Sequence, residues 1–76
     1  MKNFLLVILR VGDMPLMYTM SAKEESEVNK WADRHIIESG KAHFKGYEVI
    51  EITNDLFTKI PKVLEGNWTG AGCINE

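Results

Sequence analysis

A chain of 76 residues with 45% apolar and 26% charged side chains is too apolar for intrinsic disorder and too short for two cores, so one domain spanning residues 1–76 is expected. Eleven acidic against nine basic side chains give a net charge of -2, which removes any global attraction to phosphate backbones or anionic lipid. The single Cys73 excludes an internal disulfide, and with no secretion signal in view the expected location is cytoplasmic.

The first element is the most informative. Phe4-Leu5-Leu6-Val7-Ile8-Leu9 is an unbroken apolar run, too short for a signal-peptide core or a bilayer span, and it reads as a strand from about Lys2 to Arg10 that is covered on both faces. Gly12, Asp13 and Pro15 form a hairpin loop into a second strand at about Leu16 to Met20. Ser21 and Glu24 have capping-box spacing and open a helix. Along it Val28, Trp31, Ala32, His35 and Ile36 form one apolar stripe, and Gly40 supplies the left-handed stop.

After a basic loop, Tyr47-Glu48-Val49-Ile50-Glu51-Ile52 reads as a third strand, with Ile50 and Ile52 on one face and Tyr47 and Val49 on the other. Helical spacing returns at Leu56, Phe57, Ile60, Val63 and Leu64, with Pro61 expected to break that helix or to begin a second turn. Residues 66–76, which include Gly70 and Gly72, read as a loosely ordered tail. The expected fold is α+β: a ββαβα chain whose three-stranded antiparallel sheet has order 2-1-3, the apolar strand in the middle, packed with one long and one short helix.

No residues announce chemistry. His35, His43 and Cys73 match no zinc spacing, the glycines near the C-terminus lack the lysine and context of a phosphate loop, and no acid and base pair can be named. No catalytic residue, metal or cofactor is therefore assigned, and the chain is not read as an enzyme. Asp33 and Glu38 belong to a solvated helix face, where Arg34 and Glu38 form an i, i+4 pair.

Two surfaces suggest partners. Met14, Met17, Tyr18 and Met20 lie on or beside the second strand, an edge in the 2-1-3 order, and with Trp68 they are the candidate contacts for a protein partner or a second copy in a homodimer. Lys30, Arg34, Lys41, His43 and Lys45 concentrate positive charge, with Phe44 among them, and are the candidate contacts for nucleic acid or a nucleotide ligand, the less favoured partner.

The compact hairpin, the Thr19-Met20-Ser21-Ala22-Lys23-Glu24-Glu25 entry into a helix and the Tyr47 to Ile52 return strand together resemble small accessory proteins of tailed phages, a group that includes antitoxins and anti-defence inhibitors. The resemblance is one of layout and covers about Lys2 to Ile52. It implies a protein that binds and blocks a host enzyme or defence factor without chemistry of its own.

Overall fold

A computed structural model describes residues 1–63 and 68–73, with the side chains of residues 1–60, 69 and 70. The elements run β1 (Lys2–Arg10), β2 (Leu16–Ala22), α1 (Glu25–Ser39), a 3-10 turn (Lys41–His43), β3 (Phe44–Ile52), α2 (Asn54–Val63) and β4 (Trp68–Cys73). They form an α+β fold of two helices on a four-stranded mixed sheet of order β3-β1-β2-β4.

β1 lies inside the sheet, antiparallel to β2 on one side and to β3 on the other, as its continuous apolar run requires. Its side chains alternate between the two faces. Phe4, Leu6 and Ile8 are fully buried and oppose Met20, Tyr18 and Leu16 on β2, forming the core with Ala22 and with Val28 and Ala32 of α1. Val49 and Tyr47 extend the same face on β3, opposite Leu6 and Ile8.

The sheet departs from the expected three antiparallel strands in one respect: β4 adds to the outer side of β2, in parallel. Residues Trp68–Cys73 are thus a strand where a loose tail was expected, and β2 is interior where an edge was expected. The Met17 amide bridges this junction by donating to Thr69 Oγ1 at 3.1 Å.

Handedness places the helices. β2, β3 and β4 run in one direction, so α1 joins β2 to β3 and α2 joins β3 to β4 as parallel crossovers that traverse the sheet in opposite senses. Two right-handed crossovers of opposite sense put their helices on opposite faces. Accordingly α1 covers the Phe4, Leu6 and Ile8 face, whereas α2 packs on β1 and β4 with Ile60 buried. Thr19, opposite Leu5 on the α2 face, is 1% exposed, and its Oγ1 has no hydrogen-bond partner among the described residues.

Local expectations at the helix ends change. Ser21 belongs to β2 and its hydroxyl donates to Asn3 Oδ1 at 2.9 Å, so it caps nothing. The helix starts one turn later: Glu24 is the N-cap residue without a side-chain cap, and Glu27 reaches back to accept the Lys23 amide at 3.1 Å, the returning half of a capping box moved along the chain. Gly40 ends α1 with φ of 101°, the positive value foreseen for it. α2 continues through Pro61 to Val63, because a proline in the last turn forfeits a single helical bond. No helix among the described residues is long and apolar enough to cross a membrane.

Candidate functional site

The side chains best placed for contact with another molecule lie along one edge of α1. Residues 31, 34, 35 and 38 follow the i, i+3, i+4, i+7 pattern and so share a side of the helix. Trp31 and His35 stack with planes 7° apart and centroids 5.0 Å apart. Tyr18, rising from β2, meets Trp31 edge-on at 5.1 Å and His35 at 5.9 Å, and Phe44 at the start of β3 approaches His35 at 6.4 Å. Four rings from three elements therefore fix the helix edge against the sheet, each contact contributing on the order of 1 kcal/mol beyond its buried area.

Outside this cluster Trp31, Arg34, His35 and Glu38 enclose an open hollow of about 130 Å³. The expected Arg34 and Glu38 ion pair is absent from the ion pairs among the described residues, which join Lys2 to Glu24, Arg10 to Asp13 and Lys59 to Asp55. A guanidinium and a carboxylate thus stand on the rim of an aromatic hollow without neutralising each other. On the outer side of β2, β4 places Gly70 beside Tyr18 and Gly72 beside Met20, so the register positions flanking the α1 face of β2 carry no side chain. A Cβ at Gly70 would sit 3.8 Å from Tyr18 Cδ1.

Burial shapes the two phenols. Desolvation raises the Tyr18 pKa above its ordinary 10.0, with the nearby Arg10 charge opposing. Tyr47, whose hydroxyl donates to the Asn29 carbonyl at 3.4 Å, is raised by desolvation and further by the Asp33 carboxylate.

The methionine-rich candidate surface is dispersed. Met20 is buried in the core at 2% exposure and cannot meet a partner in the folded chain, because β2 lies inside the sheet with α1 above it. Tyr18 is engaged in the ring cluster on the same face. Met17 opposes Val7 on the other face and is half-buried, whereas Met14 is exposed in the β1–β2 loop, its amide donating to Asp13 Oδ1 at 2.8 Å and its carbonyl accepting from Arg10 Nε at 2.6 Å. Trp68 pairs with Met17 through the strand register, and its side chain lies outside the described residues.

The basic candidates are all exposed, and none takes part in an ion pair among the described residues: Lys30 and Arg34 on α1, Lys41 and His43 in the 3-10 turn, Lys45 at the start of β3. Of these the structure brings Arg34 to the hollow. Glu38 and the stacked Trp31 and His35 were not singled out as site residues by sequence. Their spacing, two rings and two opposite charges on one helix edge, was the available signal. No three His, Cys, Asp or Glu side chains among the described residues come together as metal ligands. Compared with protein-family models, curated proteins and solved structures, the chain matches none.

Proposed function

We propose that this protein is a small interaction module that binds a protein partner through its surface, as a phage-type inhibitor that blocks a host enzyme or defence factor without catalysis. The reading rests on the second apolar set of β1. Leu5 opposes Ile50 across the β1–β3 ladder, Val7 and Leu9 continue along the same face, and α2 leaves Leu9 40% and Ile50 50% exposed, with Leu56 of α2 itself 47% exposed. Aliphatic side chains gathered on one face favour a protein surface over a charged ligand. A second copy of the chain, forming a homodimer in the cytoplasm, is the simplest occupant of this face.

The test is sedimentation equilibrium at low micromolar concentration combined with affinity capture. Wild-type and Lys30→Glu proteins are expected to self-associate or to retain one common partner, and a Leu9→Lys, Ile50→Lys double variant to lose both while staying folded. A monomer that captures nothing, or capture that is insensitive to the double variant, overturns the reading.

A second reading, a nucleic-acid or nucleotide-ligand binder, is favoured by the five exposed basic residues that lack ion-pair partners among the described residues. Steep loss of affinity with added salt distinguishes it from the apolar interface.

A further inference from the structure

We propose that the hollow on the edge of α1 binds a single guanine base, with the ring against Trp31 and His35 and its hydrogen-bonding edge shared between Glu38 and Arg34. This deepens the second reading above by naming the ligand and the residues that would select it, and it is independent of the apolar face on the other side of the sheet.

Size comes first. An enclosed cavity of roughly 150 Å³ accepts a benzene molecule. The open hollow of about 130 Å³ suits one planar ring system whose outer edge stays in solvent, and is too small for a folded peptide element. Its wall is a stacked indole and imidazole, held in place by edge contacts from Tyr18 and Phe44, so a ring entering beside them meets a surface that is already ordered. Unpaired bases are commonly held on aromatic side chains of this kind.

Charge narrows the class. A cationic ligand group, such as a partner's guanidinium, is attracted by Glu38 and repelled by Arg34; a carboxylate meets the reverse. A neutral ring with N–H donors next to a carbonyl acceptor satisfies both rim groups at once, because the carboxylate accepts and the guanidinium donates. The Watson–Crick edge of guanine presents two N–H donors beside O6. Adenine offers one amino donor beside the N1 acceptor on that edge, so it can accept from Arg34 but pairs only one oxygen of Glu38. Uracil offers a single N–H between two carbonyls, so it cannot pair both oxygens of Glu38. Lys30, one helical turn before Arg34 and exposed, adds positive charge on the same flank for the phosphate of a nucleotide.

The absent Arg34 and Glu38 ion pair is what makes the site available. Were the two side chains closed on each other, a ligand would first have to break a charge-assisted contact. Without that contact, they offer donor and acceptor at little reorganisation cost.

The experiment is an NMR titration of the whole chain, following the Trp31 indole and His35 imidazole resonances with guanosine, adenosine, guanosine monophosphate and a short single-stranded oligonucleotide containing one guanine. Guanosine is expected to shift both resonances and to bind about tenfold more tightly than adenosine, the discrimination that one good two-point base contact provides. Glu38→Gln is expected to erase that preference and Ile37→Ser, on the same helix but outside the hollow, to preserve it. Tighter binding of the monophosphate or of the oligonucleotide identifies a free nucleotide or an unpaired strand as the source of the base. Equal binding of guanosine and adenosine, or a preference that survives Glu38→Gln, overturns the proposal. Binding of the monophosphate without binding of guanosine also overturns it while leaving the basic-region reading intact; guanosine binding without any gain from phosphate supports it and removes that reading.

Discussion

Trp31 and His35 stack one helical turn apart, at 5.0 Å between centroids, on the edge of α1 that also meets Tyr18 of β2. This i, i+4 pair joins the helix to the sheet and forms the wall of the hollow, so stability and the proposed recognition depend on the same rings. Trp31→Ala is expected to cost about 3 kcal/mol, at the lower end of the range for aromatic deletions because the indole is half-buried. Urea denaturation measures this, and an unchanged midpoint would show that the indole does not anchor α1.

Thr19 carries the one buried side-chain oxygen without a partner among the described residues. Replacing it by valine keeps the shape and removes the unsatisfied hydroxyl. Thr19→Val is therefore expected to stabilise the fold by about 1 kcal/mol, whereas Thr19→Ala, which opens a void, should destabilise it. A destabilised valine variant would mean that the hydroxyl is bonded in solution.

Gly40 ends α1 at φ of 101°, and a Cβ there would stand 3.0 Å from His43 Cδ2. Because His43 is exposed and can swing away, backbone conformation should dominate. Gly40→Ala is expected to cost about 1 kcal/mol or more, and His43→Ala placed in the same chain should restore little of it. Thermal melts of the single and double variants separate the two contributions.

Both tyrosines of the chain have raised pKa values, Tyr18 and Tyr47 alike chiefly through burial. The folded state thus retains its phenolic protons at a pH where the unfolded chain, titrating near 10.0, has lost them. Their contribution to stability is complete below that pH and falls as pH rises through and above it, because the native state then binds more protons than the unfolded state. Phenolate absorbance should develop above pH 10.0 in the folded protein, and Asp33→Asn should bring the Tyr47 transition down by removing the neighbouring negative charge. A transition at the ordinary value would contradict the burial of the two rings.

Those elements whose residues state their own environment were legible in advance. Six consecutive apolar residues can be buried on both faces only by an interior strand, so β1 lies between β2 and β3. The stripe of Val28, Trp31, Ala32, His35 and Ile36 specifies which side of α1 meets the sheet, since a 3.6-residue period leaves one choice. β4 was not legible. Trp68–Cys73 is rich in glycine and lacks alternation, and its pairing with β2 joins residues about fifty positions apart that no local pattern connects.

The rest followed from that added strand. β4 turned β2 from an edge into an interior strand, while Met20, on the face that α1 covers, lies in the core and Met14 remains exposed in the loop before β2. Likewise Ser21 had the spacing of a cap, yet strand pairing carried it into β2 and left Glu27 to reach back alone. Sequence by itself determined what each segment needed to bury, because periodicity records local environment. Only the tertiary structure decided which segments supplied the cover, and hence that Trp31 and His35 of α1 meet Tyr18 of β2 and Phe44 of β3, because long-range pairing depends on chain crossover and handedness, which spacing does not encode.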